Sequence, residues 1–124
     1  STLGAKALIK VLPDALENKA NEQAQDHSKA TFTKPLSKEM SQLSPESKTA
    51  LELEREVVAF AGFPKSKYVF LDIPCSVAKA SISDKPQTEL DLHCKDGKYL
   101  VIERLIPENS KEMDAKSFLN GHKK

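Results

Sequence analysis

The chain has 124 residues, of which 39% are hydrophobic, and its 19 Lys and Arg residues nearly balance 18 Asp and Glu residues. A chain of this length buries one modest core, and its hydrophobic share lies below the roughly 45–50% usual for globular domains, so we expect one compact domain with irregular segments attached. The net charge of +1 argues against a strongly basic nucleic-acid domain.

No apolar run approaches the roughly 18 residues that a membrane-spanning helix needs, and the first residues lack the charged-then-apolar order of a signal peptide. The sequence therefore predicts a cytoplasmic protein with no membrane partner. Cys75 and Cys94 lie too far apart for a zinc site, which needs close pairs, and the cytosol keeps such thiols reduced. We expect two small buried hydrophobic residues and no metal site.

The first segment of the chain predicts a helix over residues 2–18, which Pro13 should kink or break. Residues 19–36 show no sustained periodicity, and we interpret residues 19–43 as a linker. The helix stripe consists of apolar residues at three- and four-residue spacing: Leu3, Ala7, Leu8, Val11 and Leu12.

A second helix is predicted between Ser44-Pro45 and Gly62. The serine hydroxyl can cap a helix, proline tolerates the first helical position, and glycine favours a left-handed end. The side chains expected on its buried face are Ala50, Leu53, Val57, Phe60 and Ala61.

The hydrophobic period changes to two after residue 64, which predicts strands. Asp96-Gly97 is typical of a two-residue hairpin turn. The predicted strands are 67–73, 76–82, 89–95 and 98–105, and in the third we expect Leu90, Leu92 and Cys94 to point inward.

The last segment predicts a short helix that Asp114 caps and Gly121 ends, with Met113 packing on Phe118. Beyond it, His122 to Lys124 should trail into solvent. The order of helix, at least four strands and helix indicates an α+β fold with a small, strongly curved antiparallel sheet or barrel.

Residues typical of catalysis are not arranged as an active site. His27, His93 and His122 lie in different segments without a partner at ligand or triad spacing. Glutamates 52, 54 and 56 do not share a helix face, and the four glycines form no phosphate-binding loop. We therefore expect no catalytic residue and no metal ligand in this chain.

Several segments, taken together in order and spacing, resemble the C-terminal third of the methionyl-tRNA formyltransferase family. They are LGAKALIKVLPDAL at 3–16, QDHSKATFTKPLSKE at 25–39, ELER at 52–55 with Ala59-Phe60 and Phe63-Pro64, and Asp96-Gly97, residues 100–105, Met113 and FLNG at 118–121. The chain departs from the pattern at Val58, where an arginine is common, at Gly62, where a proline is usual, and in lacking a tryptophan before ELER. The stretch 82–89 is also short, which leaves the number of strands open.

The resemblance implies three parts. Residues 1–18 would be the terminal helix of a catalytic domain absent from this chain, residues 19–43 a linker, and residues 44–124 an OB-like antiparallel barrel flanked by helices. The absent Rossmann-like domain would transfer a formyl group from 10-formyltetrahydrofolate to the methionine of initiator tRNA, for translation initiation. The fragment itself would be non-catalytic and hold no cofactor.

The partners implied for this chain are that catalytic domain and initiator tRNA. The phosphate contacts expected by this reading are Lys34 and Lys38 on the linker and Lys65, Lys67, Lys79, Arg104 and Lys111 on the barrel. Tyr68, Phe70 and Tyr99 could stack on bases, but core packing is favoured. Without the catalytic domain, Leu3, Leu8 and Leu12 should form an uncovered apolar patch.

Two other functions fit the same sequence. A related formyltransferase that acts on a sugar nucleotide or on formylfolate would carry a similar C-terminal domain. A stand-alone domain that binds a protein would also show a near-neutral surface.

Overall fold

The computed structural model describes residues 2–122, so Lys123 and Lys124 of the predicted tail lie outside it. The chain divides into two compact units, residues 1–34 and residues 35–124. In chain order, the described elements are α1 (Thr2–Leu16), α2 (Ala50–Ala59), β1 (Ser66–Phe70), β2 (Ile73–Ser83), β3 (Leu92–His93), β4 (Tyr99–Pro107), β5 (Met113–Asp114) and α3 (Ala115–His122), with 3-10 turns at His27–Lys29 and Lys38–Ser41.

The first unit consists of α1 and an irregular segment. Pro13 lies inside α1 without ending it, and no residue of this helix is buried. Leu3, Leu8 and Leu12 are 85%, 63% and 46% exposed. The predicted exposure of these three leucines is confirmed, and its attribution to an absent domain stays a prediction.

Helix α2 begins later than the sequence predicts. Thr49 caps it, because the Glu52 backbone N–H donates to Thr49 Oγ1 at 3.2 Å while the Thr49 backbone N–H donates to Glu52 Oε2 at 2.8 Å. Ser44 instead opens a turn, in which its carbonyl accepts from the backbone N–H groups of Ser47 and Lys48. The predicted start at Ser44 is wrong because a reciprocal capping box satisfies two N–H groups at Thr49.

The predicted buried face of α2 is confirmed for Ala50, Leu53 and Val57. It does not extend to Phe60, which is half-buried, or to Ala61, which is exposed. Glycine 62 is not left-handed either. The positive φ, 65°, falls instead on Lys65, whose backbone N–H donates to the Phe60 carbonyl at 2.9 Å.

The strands form one antiparallel sheet in the order β1-β2-β4-β3, with β5 on β4. The first strand ends at Phe70 rather than at residue 73 because Leu71 and Asp72 both have positive φ, 49° and 63°. Two consecutive residues with positive φ form a tight turn, and the residues on either side of it, Phe70 and Ile73, pair with each other.

The second hairpin joins β3 to β4 at the predicted position. Its loop has three residues rather than two, because the Cys94 backbone N–H donates to the Lys98 carbonyl at 2.8 Å across residues 95–97. Gly97 has a φ of 77°, as the last residue of such a loop requires. Only Leu92 and His93 of predicted strand 89–95 form strand structure.

Helix α3 follows the predicted cap, since the Ser117 backbone N–H donates to Asp114 Oδ1 at 2.8 Å. The helix continues past Gly121, however, and includes His122. The His122 ring stacks on Phe118 with centroids 4.4 Å apart, and its Nδ1 lies 2.8 Å from the Phe118 carbonyl oxygen. Hence His122 is exposed, as predicted, but it belongs to the helix rather than to a tail beyond it.

One core lies between the sheet and the helices α2 and α3. Cys75 and Cys94 are free and buried, as predicted. The α+β class and the antiparallel sheet are confirmed, whereas closure into an OB-like barrel stays a prediction. The core contains Leu43, Ala50, Leu53, Val57, Phe70, Cys75, Val77, Leu90, Leu92, Cys94, Leu100, Ile102, Leu105, Ala115, Phe118 and Leu119, and Met113 packs against it.

Candidate nucleic-acid interface

All seven predicted contact residues are exposed. Some of these residues already form an ion pair with a carboxylate, and others do not. This difference decides which of them are available to bind a phosphate. Lys34 belongs to the first unit, and the other six belong to the second.

Lys79 and Arg104 face each other on β2 and β4. Lys79 Nζ lies 2.6 Å from Glu103 Oε2, and the hydrogen bond from Lys79 lowers the pKa of the Glu103 carboxyl. Arg104 forms an ion pair with Glu112, and the hydrogen bond between them raises the pKa of the guanidinium. A phosphate would have to displace two carboxylates to bind these cations.

Lys65 and Lys67 flank the first residue of β1, Ser66, which is fully buried. Because side chains alternate along a strand, Lys67 points away from the core. Lys65 lies just before the strand, with a φ of 65°, and its side chain is also exposed. Their backbones are fixed: the Lys65 N–H donates to the Phe60 carbonyl at 2.9 Å, and the Lys67 carbonyl accepts from the Leu43 N–H at 3.0 Å. Within residues 2–122, neither ammonium group has an ion-pair partner.

Lys34, Lys38 and Lys111 likewise form no ion pair among the residues described. Lys38 begins a 3-10 turn, where its carbonyl accepts from Ser41 Oγ at 2.6 Å. The structure thus pairs the backbone positions of Lys79 and Arg104 across β2 and β4, and it places Lys65 and Lys67 on either side of Ser66.

Two of the three aromatic side chains that could stack on bases pack in or against the core instead. Phe70 is 4% exposed, so it packs in the core as favoured, and half-buried Tyr68 lies against it with ring centroids 5.0 Å apart. The Tyr99 ring lies 5.0 Å from the His93 ring, edge to face. Phe63, which was not among the predicted stacking residues, is 51% exposed.

A groove on the exposed face of the sheet was also missed. It has a volume of about 340 Å³ and includes the Lys67 side chain among its walls. Residues from β1, β2 and β4 meet there only because of the strand register, which no local sequence pattern discloses.

The described residues give little support for a metal site, a reactive thiol or a membrane-spanning helix. No group of three or more His, Cys, Asp or Glu side chains in residues 2–122 could hold a metal ion. Burial raises the pKa of both the Cys75 and the Cys94 thiol, which disfavours a reactive thiolate. None of the helices between residues 2 and 122 is long and apolar enough to cross a membrane.

Two comparisons relate the chain to known proteins. A family model described as "Formyl transferase, C-terminal domain" matches residues 35–123. A methionyl-tRNA formyltransferase of Sulfurihydrogenibium sp. (strain YO3AOP1) is 33% identical over 79 residues, which are 64% of this chain and 25% of that protein. The matched part of the chain thus corresponds to about a quarter of this relative's length.

Proposed function

Because the chain belongs to the formyl transferase C-terminal domain family, we propose that it is the tRNA-binding domain of a methionyl-tRNA formyltransferase. In this proposal a separate catalytic domain transfers the formyl group of 10-formyltetrahydrofolate to methionine on initiator tRNA in the cytoplasm, and this chain helps hold the tRNA. The name of the Sulfurihydrogenibium relative supports the reaction. We also propose that the five-stranded sheet forms part of an OB-like barrel, the fold that the resemblance implies.

The observation that carries the proposal is the pair of exposed ammonium groups on Lys65 and Lys67. Lysines that have no carboxylate partner can neutralise phosphates and release counterions without first breaking an ion pair. Such contacts position a nucleic acid but do not read its bases. Lys34, Lys38 and Lys111 come next, and Lys79 and Arg104 last, because Glu103 and Glu112 already hold their charges.

Replacing Lys65 and Lys67 together with alanine should weaken the binding of all tRNAs about equally. The slope of log K against log salt concentration should fall by roughly 1–2 units, since each phosphate contact contributes about 0.7–0.9. The fold should survive, because both side chains are exposed. The measurement is tRNA binding at several salt concentrations, for initiator and elongator tRNA.

The matched control is the double variant K95A/K116A, which removes two exposed lysines that also form no ion pair among the described residues and should leave the slope unchanged. An unchanged slope for the Lys65 and Lys67 variant would show that these lysines face bulk solvent. A loss confined to one tRNA would show that the lysines read identity rather than phosphate.

The second candidate is a formyltransferase that acts on a small substrate such as a sugar nucleotide. The ion pairs of Lys79 and Arg104 favour it, because they remove two positive charges from the surface. A chain with this function would bind tRNA weakly and without the steep negative salt slope.

A further inference from the structure

Three neighbouring strands build the floor of the groove. On β1, Lys67 pairs with Ser76 of β2 and Val69 with Pro74. Ser76 in turn pairs with Ile106 of β4. Because directly paired residues share a face, these five side chains lie together on the face opposite the core.

The walls of the groove combine an apolar floor with a polar rim. Val69, Pro74 and Ile106 supply apolar surface, and the amides of Gln42 and Asn109 stand beside them. Among residues 2–122, Lys67 and Glu108 are the only charged residues that line the groove. The lining is therefore neutral overall, with one cation and one carboxylate.

This chemistry selects among possible ligands. A polyphosphate would meet one lysine and one repelling carboxylate, whereas a flat heterocycle could cover the apolar floor and exchange hydrogen bonds with amides and a carboxylate at its edge. Resting on the proposed function, we infer that the groove binds one unpaired nucleotide of the bound tRNA, with its base on Val69 and Ile106 and its phosphate at Lys67.

A peptide fits the groove less well. An extended peptide would bind here by pairing, as an additional strand, with the outer edge of β1. That edge is already occupied at Lys67, where the carbonyl accepts from the Leu43 N–H at 3.0 Å. A parallel bridge also pairs Gln42 with Lys67. Only Tyr68 to Phe70 remain, which is too short an edge for a stable additional strand.

The inference is tested by titrating the four nucleoside 5′-monophosphates into the full chain and following backbone amide NMR signals. We expect shifts at Val69, Ser76 and Ile106 with the nucleotides, and much smaller shifts with ribose 5-phosphate, which lacks the base. Shifts with ribose 5-phosphate as large as those with the nucleotides would overturn the inference, because Lys67 would then bind phosphate alone.

Variants of the lining supply the second test. S76F fills the exposed groove and should abolish nucleotide binding, while Q42A should weaken it about threefold to tenfold by removing an amide hydrogen bond. N109G removes the other amide without strain, because Asn109 has a φ of 59°, so it serves even if S76F fails to fold. The matched control is Q87A, which changes a different groove and should leave affinity unchanged.

The same variants separate this inference from the proposed function. If N109G and Q42A bind tRNA as tightly as the unmodified chain while K65A/K67A does not, the nucleotide site is wrong and the tRNA-binding function stands. If the chain binds no tRNA but nucleotides still shift the groove signals, the tRNA-binding function fails and the nucleotide site stands for a different ligand.

Discussion

At the scale of single residues, Asp91 organises the loop before β3. Its carboxylate accepts hydrogen bonds from the backbone N–H groups of Thr88 at 2.9 Å and Ile102 at 3.2 Å, and from Thr88 Oγ1 at 2.9 Å. Replacing Asp91 with alanine should lower the free energy of unfolding by about 2–3 kcal/mol, because half-buried donors lose a charged acceptor. Urea unfolding measures the change.

The matched control is Glu89→Ala, a neighbouring exposed carboxylate, which should change stability by less than about 0.5 kcal/mol. Equal losses for both variants would show that the Asp91 contacts contribute nothing beyond their charge.

Two glycines that look alike in the sequence should respond differently to alanine. Gly97 has a φ of 77°, whereas Gly62 does not have positive φ, and an added Cβ meets no atom within 4 Å at either position. Gly97→Ala should therefore cost about 1 kcal/mol through backbone strain alone. Gly62→Ala should be neutral or slightly stabilising. Thermal unfolding compares them, and a neutral Gly97→Ala would contradict the turn geometry.

At the scale of elements, α2 depends on the capping box at Thr49. Thr49→Ala should lower the free energy of unfolding by about 1 kcal/mol, since the Glu52 N–H loses its acceptor. Ser44→Ala tests the helix start that the sequence predicts, and it should cost less than half as much because the Ser44 hydroxyl does not cap the helix. Chemical unfolding of both variants measures the difference, and a larger loss at Ser44 would reinstate the earlier start.

At the scale of the whole molecule, stability should reside in the second unit. Every buried residue among those described lies between Ser41 and Leu119, and the family match begins at residue 35. A chain of residues 35–124 should therefore unfold cooperatively at the same temperature as the full chain, as followed by circular dichroism. A melting temperature lower by more than about 5 °C would indicate a contribution of about 1 kcal/mol from residues 1–34.

Much of the fold followed from the sequence because its signals are local. Alternation predicted the burial of Leu90, Leu92 and Cys94, all 7% exposed or less, since a strand's two faces repeat every two residues. The same local chemistry identified the Asp96-Gly97 turn and the Asp114 cap. Element ends were missed where two local signals competed, as at Ser44 and Thr49, because both residues can cap a helix and the reciprocal capping box with Glu52 selects Thr49.

The sequence by itself determined the family. It also determined the exposure of the seven cations, because charged side chains seldom lie in a core. Only the tertiary structure decided which of them hold an available charge. Strand register brings Lys79 opposite Arg104, and each is held by a glutamate. The same register gathers Lys67, Ser76 and Ile106 into one groove. Charge pairing and concavity depend on residues distant in sequence, so their physical cause lies in the packing of strands rather than in any local pattern.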